Sequence, residues 1–392
     1  MKVNVKTLFG LEEVLATELR ALGAIDVEPS ARVVSCAIDE TTLYRIHLES
    51  RTALRVLLPL REFKTKHENH LYKKMREIEW HQLMDLEDTF AINAVTSSKY
   101  LTHSQYIGLK TKDAICDHFR DHTRGQRPDV DVKNPDIRFN VHVGRDNVLT
   151  LAKDLTGESL HRRGYRDAQV EAPLNEVLAA GMLLLAGYDG SKPFVDPMCG
   201  SGTIVSEAAM IAMRRPPNWY RKQYAFMQSA KFNQANWEAV RAAAEAKMLD
   251  RPSHLVAGYD KDFAAIKAAQ ANTYAAHLEG KVTLERQRLE TLEPPAESGI
   301  IVMNPPYDER LQPGDINELY KMMGNRFKLA FQGWEAWVIS SNKTALNRIG
   351  LRPTKKISLY NGALHCRFQQ YELYAGSRRE PQVEAETSED DA

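Results

Sequence analysis

From Pro173 onward, apolar runs and helical patterns alternate four times, an order that leaves few folds open. Phe194-Val195, Leu255-Val256-Ala257, Ile300-Ile301-Val302 and Trp337-Val338-Ile339 each precede a segment of helical periodicity, and a helix from Leu174 to Leu185 leads in. Uninterrupted apolar runs belong to strands buried on both faces. Strand–helix alternation of this kind predicts a mostly parallel, doubly wound α/β sheet. Arg367 to Tyr374 reads as one more strand.

The front of the chain has a different rhythm. Val3 and Val5 alternate with polar residues, and Leu11, Val14, Leu15, Leu19 and Leu22 share one helical face before Gly23. A strand from Arg32 to Ile38, a helix through Leu43, Ile46 and Leu48, and a strand from Leu54 to Leu60 complete a small α+β unit, residues 1–61. A second unit, residues 62–156, holds a strand at Phe90 to Val95 and a helix at Ser104 to Arg120. Paired strands at Ile137 to Val143 and Val148 to Ala152 close it. The sheet domain takes 157–376, and 377–392 is expected to be a disordered acidic tail.

The formal net charge of zero hides a division between body and tail. Setting the tail's six acids aside leaves 52 basic against 46 acidic residues, a positive body that permits nucleic-acid binding. Cys36, Cys116, Cys199 and Cys366 have no paired spacing, which argues against a zinc site or a disulfide framework and for a reducing compartment. The most apolar stretch, Val177 to Gly187, is short of a membrane span, so the expected location is cytoplasmic.

The chemistry concentrates at strand ends. Asp196-Pro197-Met198-Cys199-Gly200-Ser201-Gly202-Thr203 joins a strand to a helix; two glycines let the backbone approach a ligand, and the helix start offers free N–H groups. The loop lacks the Lys-Ser/Thr of a phosphate loop and, with Val205 at the third position, the full dinucleotide fingerprint. Asp260, at the next strand end, suits two ribose hydroxyls, while Asp262 is placed to cap the following helix. The 64 positions between Asp196 and Asp260 exceed the ~20 usual for such sheets. An insertion from Arg214 to Asp250 accounts for the excess. Its Arg215, Arg221, Lys222, Trp219, Tyr220 and Tyr224 suit RNA stacking and phosphate contact, or an ordinary helical crossover.

Asn304-Pro305-Pro306-Tyr307 ends another strand. An exocyclic base amine is a poor nucleophile because its lone pair is delocalised. The Asn304 side-chain oxygen and the Pro305 carbonyl can accept its N–H groups and direct the lone pair, and Tyr307 can stack the extruded base. The basic run Arg162-Arg163-Gly164-Tyr165-Arg166 suits phosphates or a solvated linker. His161 has no partner spaced as a metal ligand or base, and no metal is expected.

Asp-Pro before the glycine pair resembles the first motif of class I methyltransferases, and Asn-Pro-Pro-Tyr is similar to the catalytic signature of amino-methyltransferases. With Phe9-Gly10-Leu11-Glu12-Glu13, Asp136-Ile137-Arg138 and Leu160 to Arg166, the chain resembles the THUMP-domain RNA methyltransferases, bacterial 23S rRNA guanine-N2 enzymes of the RlmL type. The resemblance implies a ferredoxin-like front, an RNA-holding THUMP domain and a Rossmann-like methyltransferase domain. It also implies S-adenosylmethionine as cofactor and 23S rRNA, or a large-subunit assembly intermediate, as partner. Asp196, Pro197, Cys199, Gly200, Ser201, Gly202, Asp260 and Asn175 would border the cofactor; Asn304, Pro305 and Tyr307 would carry catalysis. Arg162, Arg163, Arg166 and Arg215 would contact RNA. Where relatives place an acid or amide beside the adenine this chain has Arg288, with Glu290 two positions on as the substitute. Two other readings stay open: an adenine-N6 methyltransferase on DNA or RNA, and a non-catalytic RNA-binding assembly factor.

Overall fold

The computed structural model describes residues 1–163, 165, 174–306 and 313–374. Its front half begins β1 (Lys2–Lys6), α1 (Glu12–Leu22), β2 (Ile25–Ser30), β3 (Val33–Ala37), α2 (Glu40–Glu49) and β4 (Arg55–Lys64). That is the ferredoxin-like order, and it follows from local cues. Gly23 closes α1 in a left-handed conformation, and Asp39 caps α2 by accepting the Thr42 N–H. Then come α3 (Glu68–Arg76), β5 (Phe90–Thr96), α4 (Ser104–His122), β6 (Ile137–Val143) and β7 (Val148–Asp154).

Both front units form one seven-stranded sheet, ordered β2-β3-β1-β4-β7-β6-β5. Strand β4 runs through the expected boundary at residue 61 and serves both units, pairing Leu57 with Asn4 of β1 and with Asp154 of β7. The register against β7 shifts between Pro59 and Arg61; proline is tolerated at such a bulge because its missing N–H is not needed there.

The rear half holds α5 (Glu176–Leu185), β8 (Phe194–Asp196), α6 (Thr203–Ala212), α7 (Gln234–Glu245), β9 (Val256–Asp260), α8 (Phe263–Ala275) and β10 (Thr283–Arg286). It continues with β11 (Ile300–Met303), α9 (Pro313–Leu329), β12 (Glu335–Ser340), α10 (Lys343–Arg348), β13 (Lys355–Asn361) and β14 (Leu364–Glu372). The sheet order is β10-β9-β8-β11-β12-β14-β13; β10 to β12 are parallel, and β14 and β13 form an antiparallel hairpin at one side. The apolar runs read from the sequence are the inner strands, with Phe194, Val195, Ile301, Val302, Val338 and Ile339 fully buried.

The halves are welded together. Leu11 fills the space a side chain would need at Gly181 of α5, and the insertion's Tyr224, Phe226 and Trp237 share a core with Tyr44 and Ile46 of α2. Beneath them lies His47, fully buried, its Nδ1 2.8 Å from the Leu43 carbonyl and its Nε2 3.0 Å from the Thr156 hydroxyl. A carbonyl only accepts, so Nδ1 carries the hydrogen and neutral Nε2 accepts from Thr156. Burial pushes the His47 pKa down to about 3. The unfolded chain takes up that proton near pH 6.5 and the folded one does not, so this contribution is full above pH 6.5 and is lost as pH falls toward 3. His47 should therefore cost the fold about 2 kcal/mol between pH 7 and pH 5. Denaturant melts at the two pH values check this: His47→Gln should show a correspondingly smaller drop, and an equal drop would reject the assignment.

Candidate active site

Sheet order alone brings the two chemical loops together. Strands β8, β9 and β10 run to one side, and β11 and β12 to the other, so the topology switches between β8 and β11. Ligands bind outside the carboxyl ends of strands at such a switch. Asp196 ends β8 and Asn304 follows β11, its immediate neighbour.

The loop after β8 is held open from three sides. Cys199 N–H donates to the Tyr259 carbonyl, Gly200 N–H to Asp260 Oδ2 at 3.0 Å, and Asn272 Nδ2 to the Ser201 carbonyl. Gly200 and Gly202 both have left-handed backbone; Gly202 lies against Ala269, whereas the side-chain position at Gly200 faces open space. That space is where a ligand can meet backbone directly. Gly258 is needed for a reason the strand pattern alone had not assigned: a Cβ there would lie 2.7 Å from Val205 and 3.1 Å from Cys199. A glycine inside a strand is the sequence signal for such close approach.

Asp196 is buried, and among the described residues the Met198 N–H, at 3.1 Å, is what it accepts from. Burial raises its pKa to about 8, and the nearby Asp260 charge adds to the rise. Asp260 divides its oxygens between two backbone donors, Gly200 and Asp262, leaving lone pairs for further donors. Asp262 caps α8 through the Ala264 N–H, as its spacing implied. Arg288 and Glu290 are both exposed around a short 3₁₀ turn anchored by buried Leu289. Asn175 caps α5, accepting from Val177 and Leu178, a structural duty its resemblance-based reading had not included. Asn304 stands apart from all of these. Its Oδ1 is buried and accepts no hydrogen bond among the described residues, while Pro305 is buried beside it. Arg166 and Tyr307 lie outside the described residues, as does the acidic tail.

Two of the arginines expected to contact RNA point inward. Arg163 is sealed against Glu207 at 3.3 Å and donates to the Leu160 and Arg51 carbonyls, tying the front unit to α6. Arg215 is buried and donates to the Ala276 and His277 carbonyls. A guanidinium used up on carbonyls and a carboxylate inside the protein is structural glue, so both expectations are corrected. Arg162 instead lines a cleft of about 1120 Å³ with Arg55, Lys133, Arg138, Arg221 and Lys222. Glu158 is the single carboxylate among the described lining residues. Carbonyls of 156, 158, 159 and 223 hold Arg221 rigidly, and burial together with the Arg55 charge pulls its pKa down. Glu158 pairs with Arg162 and buried Asp154 with Arg55, while Lys133, Arg138 and Lys222 have no ion pair among the described residues. That surplus of cations favours a polyanion.

Against known proteins, the family described as RMKL-like, methyltransferase domain matches residues 163–370, a THUMP domain matches 65–150, and an RlmL ferredoxin-like domain matches 2–57. The chain is 38% identical over 366 residues to the candidate RNA methyltransferase slr0064 of Synechocystis, covering 93% of this chain and 95% of that one. It is 40% identical over 379 residues to the ribosomal RNA large subunit methyltransferase K/L of Syntrophotalea carbinolica; there the match covers 93% of this chain and spans 52% of that longer protein. Among solved structures it is similar to SMU.472, a candidate methyltransferase complexed with SAH, at TM-score 0.84 and 27% identity over 96% of this chain and 99% of the other.

Proposed function

The chain belongs to the RMKL-like methyltransferase family, and on that premise we propose that it methylates the exocyclic N2 amine of a guanine in large-subunit 23S rRNA, using S-adenosylmethionine. The observation that carries this reading is the unsatisfied Oδ1 of Asn304. Leaving a buried acceptor unpaired costs about 1–3 kcal/mol, and this one, unpaired among the described residues, follows a strand at the switch point, where a donor from outside could meet it. An exocyclic amine at the switch-point crevice is such a donor.

The residues fit the cofactor. Open space over Gly200 and the spare lone pairs of Asp260 suit a nucleoside with a ribose diol, and Asp196 suits a cationic amine. When bound, S-adenosylmethionine supplies a methyl carbon already activated by its sulfonium. The protein's task is alignment: Asn304 Oδ1 and the Pro305 carbonyl accept the amine's N–H groups and turn its lone pair toward that carbon. With S-adenosylmethionine bound as methyl donor, Asn304 and Pro305 would hold the amine through the transfer, and the nitrogen's surplus proton would be left to solvent. The cleft lined by Lys133, Arg138, Arg162 and Lys222 would hold the RNA backbone, with carbonyl-bound Arg221 fixing its wall.

Asp260→Ala should weaken S-adenosylmethionine binding by at least the ~1–3 kcal/mol of one charge-assisted bond, because it also frees Gly200 from its anchor. Calorimetry giving wild-type affinity would rule Asp260 out. The function itself is tested by methyl transfer to unmodified large-subunit rRNA followed by nucleoside digestion. N2-methylguanosine is the expected product, with RNA binding that weakens steeply as salt rises. N6-methyladenosine as product, or activity on DNA alone, would reject the proposal.

A further inference from the structure

The Phe9-Gly10-Leu11-Glu12 segment has no part in the chemistry above, yet it is pinned beside it. Phe9 meets Tyr360 of β13 edge-on, with centroids 5.4 Å apart. Tyr360 lies 5.1 Å from the ring of His365 on β14, and the Arg32 guanidinium sits 5.8 Å from the Tyr360 centroid. Little in this group is free to drift. A Cβ on Gly10 would come within 2.5 Å of the Ser358 carbonyl, so only glycine permits the approach. The Glu12 carboxylate accepts both the Gly10 N–H at 2.7 Å and the Arg32 N–H at 2.8 Å. Arg32 holds a left-handed φ of 62°, an uncommon conformation for a residue with a side chain. Ser358 Oγ lies 2.9 Å from His365 Nε2. Despite these restraints, Phe9, Arg32 and His365 remain exposed, Phe9 at 38%.

Register places the group relative to the chemistry. Met303 pairs with Val338, Val338 with Gln369, and Gln369 with Lys356, so Asn304 is level with Ile357. Tyr360 therefore stands three strands to the side and three residues beyond the level of Asn304, roughly 17 Å away by strand geometry. At about twice the duplex rise of 3.4 Å per nucleotide, an unstacked strand covers that distance in roughly two to three nucleotides.

We propose that Phe9, Arg32, Tyr360 and His365 form a composite platform that stacks a nucleobase of the RNA flanking the methylated nucleotide. The proposal rests on the RNA methyltransferase reading given above. Rings paired with a guanidinium suit bases of any sequence, and the cation suits the adjoining phosphate. The front unit would then hold the substrate strand within reach of the reacting base and share in recognition, beyond its role as a distant anchor.

The test uses the full chain and rRNA fragments carrying single abasic nucleotides two and three positions to either side of the methylated base. Phe9→Ala should lower kcat/KM on intact RNA roughly tenfold, within the range for losing one base–aromatic stack, and Phe9→Tyr should restore it. One abasic position should cost the wild type a similar factor and cost Phe9→Ala nothing more. His365→Ala, on an exposed side chain, should show the same non-additivity more weakly, with cofactor affinity and melting temperature unchanged. Additive losses at every abasic position, or full activity in both alanine variants, would overturn the platform while leaving the function standing. A wild type that methylates no rRNA would sink both.

Discussion

Asn304→Ala should lower turnover on unmodified rRNA roughly 10²-fold, the scale for removing one preorganised acceptor, while cofactor affinity stays near wild type. The separation follows from geometry. Asn304 follows β11, whereas the loop expected to hold the cofactor follows β8 and is anchored by Tyr259, Asp260 and Asn272. A second consequence runs against the usual effect of mutating a buried polar residue. Because Oδ1 has no partner among the described residues, alanine removes an unsatisfied acceptor, and the variant should melt no lower than wild type. Lost activity with undiminished stability is the signature of a site preorganised for a donor. Near-normal turnover, or loss of cofactor binding, would reject Asn304 as the positioning group for the amine.

Asp196 should make cofactor binding strongly pH-dependent. Its carboxyl is buried and titrates near 8, so below that pH it is held protonated. If the cofactor's ammonium group sits against it, binding must release the proton, and affinity should rise about tenfold per pH unit from 6 toward 8. Above 8 the cofactor's own amine, near 7.7–8.0 in an ordinary α-amino group, begins to lose its charge, so affinity should peak there. Without cofactor the sign for stability is opposite to that of His47. The folded pKa is raised above the unfolded 3.8, so the contribution is full below pH 3.8 and is lost as pH rises through 8. Asp196→Asn keeps the acceptor for Met198 N–H and has nothing to ionise. It should stabilise the cofactor-free protein at pH 7 by up to roughly 4 kcal/mol while weakening cofactor binding more than tenfold. Thermal melts and calorimetry across pH 6–8 read both effects; a flat affinity profile, or wild-type binding by the amide, would dismiss this role.

The reach of the sequence divides along the position of each strand in its sheet. Every inner strand was legible, through near-continuous apolar residues where both faces are buried, as in Ile300–Met303, or through alternation where one face is, as in Ile137–Val143. The three strands that periodicity missed, β2, β10 and β13, are all edge strands. Ile25–Ser30 is mostly exposed and contains a proline; Thr283–Arg286 and Lys355–Asn361 carry charges where a core strand carries valine. An edge strand is defined by the neighbour it pairs with, and its composition guards against further pairing, so its own residues say little.

The same division holds at the site. Short-range chemistry determined the glycine loop, the Asp262 cap and the position of Asn304, because each depends on residues within a few positions of one another. Whether an arginine meets solvent or a buried carboxylate depends on partners far along the chain. Arg163 finds Glu207 44 residues away and Arg51 112 residues away, and no local pattern distinguishes it from Arg162 next door. The insertion's Tyr224 was equally ambiguous until α2 supplied His47 for it to pack against edge-on. The sequence by itself thus determined the class of fold, the inner strands and the strand-end loops proposed as the site, since burial and backbone geometry write those locally. Only the tertiary structure decided which charges are spent inside, which strand the two front units share, and that Phe9 stands over the hairpin that flanks the candidate site. Those are long-range pairings, fixed by the free energy of burying complementary surfaces that no short stretch of chain contains.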